Sequence, residues 1–113
     1  MAFEDVPTTQ PDELAKMIEY RPGQISSKTI PMGAGTTATL FAFAAGESVS
    51  EETYEGETLY LGVDGQAKIV WSDGFSVYVG KGEAARVPSG VEHAVEGVDP
   101  DAPFKILQMV MAD

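Results

Sequence analysis

The run GEAARVPSGVEHAVEG, residues 82–97, decides the fold. It holds the chain's single histidine, His93, preceded by Gly82, Pro88 and Gly90. Gly82 suits a turn after a hairpin, Pro88 stops a strand without demanding a ladder hydrogen bond, and Gly90 turns the chain into the next strand. Beyond it Val91, His93 and Val95 alternate with Glu92, Ala94 and Glu96. A strand here points the imidazole toward an apolar interior.

Working outward, short β-type runs separated by turn residues follow one another from Gln24 onward, at the spacing of an all-β barrel or sandwich. Eight are legible, over residues 25–30, 36–44, 58–63, 66–71, 75–79, 84–87, 91–95 and 104–111. Ser72-Asp73-Gly74 joins two of them as a hairpin, with the positive φ of a tight turn supplied by the Asp-Gly pair. Several runs are apolar on both faces: Leu59, Leu61 and Val63 alternate with Thr58, Tyr60 and Gly62, and Phe41 and Phe43 with Leu40, Ala42 and Ala44. A sheet with one wet side would be polar at every second place. Its outer face therefore needs a cover, partly the N-terminal segment and partly a second subunit, and a homodimer is expected.

The N-terminal segment carries the one helix signal. Thr9 and Gln10 can cap, Pro11 fits a first turn, Asp12 and Glu13 suit the positive end of the helix dipole, and Leu14, Met17 and Ile18 share one face. Arg21-Pro22-Gly23 ends it. The chain thus divides into an N-terminal arm with a short helix, residues 1–23, and a β-barrel domain, residues 24–113.

Composition narrows the function classes. The chain has 113 residues, enough for one core, with 43% hydrophobic and 22% charged residues. Seven basic against eighteen acidic side chains give a formal net charge of −11, which repels nucleic-acid phosphates and anionic lipid. No nucleic-acid or membrane partner is expected, and the acids, spread in short pairs, read as a solvated surface. No cysteine is present, which removes disulfides, thiolate metal sites and thiol nucleophiles. The start MAFEDVPTTQPDEL has neither a basic nor an apolar run, so a cytoplasmic location is expected.

The spacing Gly82, five residues, Pro88, one residue, Gly90, two residues, His93 resembles the second motif of the cupin superfamily, where an asparagine follows at the place of Gly97. The first motif has its scaffold about one hairpin earlier. Counting from Gly46 to Gly65, its two histidine places fall at Glu52 and Tyr54 and its glutamate place at Thr58. The glycines match and the three ligands are replaced. Glu57 sits one step from the glutamate place and needs a bulge to reach the interior. The chain is similar to small bacterial single-domain cupins of the type-2, RmlC-like kind, with a degenerate first motif. The resemblance implies an all-β double-stranded β-helix, a jelly-roll-like barrel, with a short N-terminal helix.

It also implies the range of chemistry. Cupins commonly bind iron, manganese, nickel, zinc or copper through three histidines and a glutamate, for oxygen chemistry, isomerisation or decarboxylation. Others have lost the metal and bind sugars or small effectors. Here two strong ligand types, Glu52 and His93, stand at matched places, fewer than the three or four a transition metal wants. No cofactor is expected. The leading reading is a metal-independent binding protein for a small polar molecule, held by His93, Glu52, Tyr54 and Thr58 against apolar walls. Two alternatives stay open. One is a small enzyme, with a divalent transition metal on His93, Glu52 and Glu57 or with His93 and Glu52 as an acid–base pair that favours each other's charged form. The other is a structural or interaction protein without a ligand.

Each candidate also has a plainer reading. His93 fits a hydrogen-bonded core histidine, Glu52 an acidic rim shared with Glu51, and Tyr54 and Thr58 good strand formers. Met109 and Met111 read as core packing, and Trp71 as a core or interface aromatic. Gly33-Ala-Gly35 lacks the lysine and following helix of a phosphate loop. One histidine without an identifiable nucleophile makes no triad.

Overall fold

The computed structural model describes residues 9–33 and 35–112. Its strands are β1 (Ile25–Pro31), β2 (Thr36–Phe43), β3 (Val49–Glu52), β4 (Gly56–Asp64), β5 (Gln66–Trp71), β6 (Ser76–Gly80), β7 (Ala84–Val87), β8 (His93–Gly97) and β9 (Phe104–Ala112). They form two antiparallel sheets, in the orders β1-β2-β9-β4-β7 and β3-β8-β5-β6. One core lies between them: Phe43, Tyr60, Val87, Phe104 and Ile106 from the first sheet meet Ala67, Ile69, Val79 and Val95 from the second. Phe43 and Phe104 stack with ring centroids 4.4 Å apart. Gly62 lets the sheets close on one another, since a Cβ there would lie 1.9 Å from the carbonyl oxygen of Gly80.

Among the described residues nine strands form where the sequence predicts eight. The added one, β3, reads Val-Ser-Glu-Glu and lies at a sheet edge, so it lacks the apolar alternation that reveals a half-buried strand. The β5–β6 hairpin forms as predicted. The Gly74 φ is +90°, Trp71 and Phe75 close the turn at 2.8 Å, and the Asp73 carboxylate accepts the Phe75 N–H at 2.9 Å.

The predicted N-terminal helix is a single 3-10 turn over Leu14–Lys16. Glu13 before it is extended, and no side chain caps the turn. Fewer than two turns cannot repay helix nucleation, so tertiary packing sets the path. Ile18 is buried with Leu40, Ala42 and Val63, and Met17, Tyr20 and Leu107 pack around them. The Tyr20 hydroxyl donates to Asp64 at 2.7 Å, and the Lys105 ammonium sits 4.5 Å from the Tyr20 ring centroid. The arm therefore covers part of the outer face of the five-stranded sheet, as the doubly apolar strands require. Met109 and Met111 belong to this outer face rather than to the core: their inward neighbours on β9 are Gln108 and Ile106, and Met111 is 46% exposed.

No helix among the described residues is long and apolar enough to cross a membrane.

Candidate functional site

The two segments singled out by their spacing meet in space. The Gly90 N–H donates to the Tyr54 carbonyl at 2.9 Å, and Gly90 turns there with a φ of +79° that favours glycine. Next to it, β3 pairs with β8 so that Val49 faces Val95 and Glu52 faces His93. Three steps on one strand match two on the other, which marks a β-bulge. Glu51 inside it has a φ of +58°, the one positive value at a non-glycine among the described residues. In a regular strand Val49 and Glu52 would face opposite sides. The bulge turns both inward, and both line one cavity.

Hydrogen bonds order that interior. His93, 2% exposed, has Nδ1 at 2.9 Å from the Val91 carbonyl. A carbonyl only accepts, so Nδ1 carries the proton, and Nε2 of the neutral ring is an acceptor. The Tyr60 hydroxyl lies 2.7 Å from Nε2 and donates to it. The Tyr60 oxygen in turn accepts from Gln108 Nε2 at 3.1 Å. The same amide nitrogen donates to the Tyr54 hydroxyl at 3.2 Å, and Tyr54 donates to Glu52 Oε2 at 3.1 Å. The chain of bonds runs Val91, His93, Tyr60, Gln108, Tyr54, Glu52, with an acceptor at each end.

Burial pushes the Tyr60 hydroxyl well above the ordinary tyrosine range; donation from Gln108 pulls it back in part, while Tyr54 and Glu52 push it further up. Tyr54 is raised for the same first reason, opposed by Gln108 and reinforced by Glu52. Both phenols therefore keep their protons and their donor roles at neutral pH.

The cavity beside this chain has a volume of about 50 Å³. Phe41, Phe43, Val49, Val95 and Ile106 give it apolar walls, and Glu52, Tyr54, Tyr60 and Gln108 its polar side.

Of the expected site residues, Glu52 and Tyr54 line the cavity. Thr58 is fully buried on the inward row of β4 that includes Tyr60, but it is not part of the cavity wall. His93 stands behind Tyr60 and reaches the cavity through that hydroxyl. Glu52 and His93 are cross-strand neighbours joined through three intervening side chains rather than by a direct bond. Glu57 lies outside the barrel, half exposed, with its carboxylate 3.2 Å from Arg86. The bulge it needed is absent: β4 keeps regular pairing with β9 from Gly56 to Gly62.

Two site residues escape the spacing argument, Tyr60 and Gln108. Each carries a usable signal. Tyr60 is two places beyond Thr58 on one strand face, and Gln108 is a lone amide on the otherwise apolar inward row of β9.

The metal that cupins commonly carry does not fit these residues. The Nε2 lone pair of His93, which a metal would take, is held by Tyr60. Glu57 faces away, and no group of three His, Cys, Asp or Glu among the described residues is placed to hold a metal.

Solved structures resemble the chain closely. A cupin superfamily protein from Desulfitobacterium hafniense is 36% identical, with a TM-score of 0.86 and 97% of each chain covered. A cupin 2 conserved barrel domain protein from Leptotrichia buccalis is 33% identical with a TM-score of 0.77; the match covers 87% of this chain and 46% of that one. An RmlC-like cupin from Desulfovibrio desulfuricans, 16% identical with a TM-score of 0.74 over 90% of this chain and 95% of that one, shares the fold. No family model and no curated protein matches. Two antiparallel sheets around one core, a glycine-proline-glycine-histidine segment turned into the barrel, and a relative matched along nearly its whole length lead to one conclusion: the chain belongs to the cupin superfamily.

Proposed function

We propose that this cupin is a metal-independent binding protein whose barrel cavity takes the polar head of a small molecule. The observation that carries the reading is the directed hydrogen-bond chain from Val91 to Glu52, which spends the imidazole on Tyr60 and leaves Glu52 and Gln108 at the cavity wall. A buried polar network whose donors are all engaged holds its members in one geometry. The apolar walls exclude water around whatever group enters, which strengthens each polar contact inside. With about 50 Å³ available, where roughly 10–15 Å³ holds one water, the cavity admits a head group, and the body of the ligand lies outside it.

The test is a small-molecule screen by ligand-observed NMR on protein purified without added metal, with elemental analysis of the same sample. The reading expects metal far below one equivalent, and hits that shift the signals of Tyr54 and the Gln108 amide. Near-stoichiometric metal that disappears in His93→Ala overturns it.

The fold-level need for a cover on the outer face supports a homodimer. The arm leaves Met111 exposed and Leu59 and Met109 half-buried on one side of the five-stranded sheet.

A further inference from the structure

The direction of each hydrogen bond in the barrel fixes what the cavity still offers, and the accounting is one-sided. The Tyr60 hydroxyl proton goes to His93. The Tyr54 proton goes to Glu52. Both protons of the Gln108 amide go to the two tyrosine oxygens. The orientation of that amide is not free: each tyrosine has given its proton away and presents only an acceptor to Gln108, so nitrogen rather than oxygen must face them. Every side-chain donor on the cavity wall is spent.

The acceptors are not. Glu52 takes a bond on Oε2, and among the described residues no donor reaches its Oε1. The carbonyl oxygen of Gln108 is likewise without a donor among them. The remaining wall is Phe41, Phe43, Val49, Val95 and Ile106, which supply no side-chain hydrogen bonds. Glu52 and Gln108 thus bring to an otherwise apolar cavity wall one carboxylate oxygen and one amide oxygen without donors, and no side-chain donor there is left to give. An anionic or purely accepting head would meet oxygens and a negative charge in a low-dielectric space, and would lose its water without replacement.

We propose that the ligand head is a hydrogen-bond donor carrying positive charge: a small free primary amine in its ammonium form, on an apolar body. This rests on the reading of the barrel cavity as a ligand site and names the chemistry that site selects. An ammonium brings three donors and no acceptor, the complement of a wall whose side chains offer only acceptors. Its attraction to Glu52 is a charge-assisted pairing of the stronger kind. The formal net charge of −11 raises the local concentration of cations around the barrel and lowers that of anions. The volume of about 50 Å³ admits a terminal –CH₂–NH₃⁺, whereas a trimethylated nitrogen donates no hydrogen bond to either oxygen.

The experiment titrates propylammonium, propan-1-ol, propionate and tetramethylammonium, separately, into isotope-labelled protein at neutral pH and constant ionic strength. The readout is the Gln108 side-chain amide and the Tyr54 and Tyr60 ring signals. The expected result is saturable binding of propylammonium, at least roughly tenfold tighter than the alcohol, with no saturable shift from propionate or tetramethylammonium. Glu52→Gln, which keeps shape and loses charge, should weaken propylammonium by about tenfold or more. Preferential binding of propionate, or equal binding of all four, overturns the ammonium assignment and leaves the cavity reading standing. Propylammonium shifts confined to surface carboxylates, with Gln108, Tyr54 and Tyr60 unmoved by every probe, overturn both. The comparison among probes uses the unaltered protein, so it stands even where Glu52→Gln fails to fold.

Discussion

The hydroxyl of Tyr60 lies 2.7 Å from Nε2 of His93, and this bond commits the chain's single imidazole to a phenol. Both residues are almost fully buried, at 1% and 2% exposure. Neither partner can turn to water when the other is lost, so each depends on the other.

Tyr60→Phe keeps the ring and removes the proton donated to His93 and the oxygen that accepts from Gln108. A buried acceptor and a buried donor are orphaned together. The expected loss is about 1–3 kcal/mol, read as a lower urea midpoint with an unchanged slope. A midpoint equal to that of the parent protein would show that the bond is absent in solution.

Alkaline pH should unfold the protein through its tyrosines. Tyr20, Tyr54 and Tyr60 all bind their protons more tightly in the folded chain than the ordinary value near 10, chiefly because burial disfavours the phenolate. A group raised in the folded state contributes stability that is complete below the unfolded value and is lost as pH rises from there toward the folded one. Urea midpoints should be flat across this range up to about pH 10 and then fall. Tyr60→Phe should fall less steeply, and an equal slope in the two proteins would contradict the assignment.

Glu51 holds a φ of +58° inside the bulge that aims Glu52. Left-handed backbone costs an L-residue roughly 1–2 kcal/mol, part of which glycine returns as lost chain entropy. Glu51→Gly should therefore raise stability by about 0.5–1 kcal/mol. Deleting Ser50 should do the opposite, because a strand without the extra residue turns Glu52 to solvent. Thermal melts of the two variants decide the point, and a lower melting temperature for Glu51→Gly contradicts a strained bulge.

A second copy on the outer face of the five-stranded sheet predicts a concentration-dependent dimer. Met111→Glu places a charge beside the Glu57–Arg86 pair and the half-buried Met109, and should shift sedimentation toward the monomer without lowering the melting temperature by more than a few degrees. A parent protein that sediments as a monomer at all concentrations rules this surface out.

The barrel was legible because turn chemistry is local. Asp73-Gly74, Pro88 and Gly90 act where they stand, and the offsets among them survive any change of side chains in between. The strand β3 was hidden because a bulged edge strand of Val, Ser and two Glu has no alternation to read. The short helix was over-read because Leu14, Met17 and Ile18 are spaced for one, whereas burying Ile18 against Leu40 and Val63 needs only a single turn. Within the hydrogen-bond chain, motif spacing reached Glu52, Tyr54 and His93 but passed over Tyr60 and Gln108. Motif offsets mark where metal ligands stand in relatives, and this interior is wired instead by residues that bond to one another. Their positions follow from sheet register, Tyr60 opposite Gln108 on β4 and β9, which only the fold supplies.

The most direct test of the account is the ¹⁵N spectrum of the His93 ring in protein purified without added metal, recorded with and without a chelator. The account predicts a neutral ring protonated at Nδ1, with Nε2 in the shift range of a hydrogen-bond acceptor and both signals indifferent to the chelator. A proton on Nε2, or a metal-bound shift that the chelator abolishes, would contradict it.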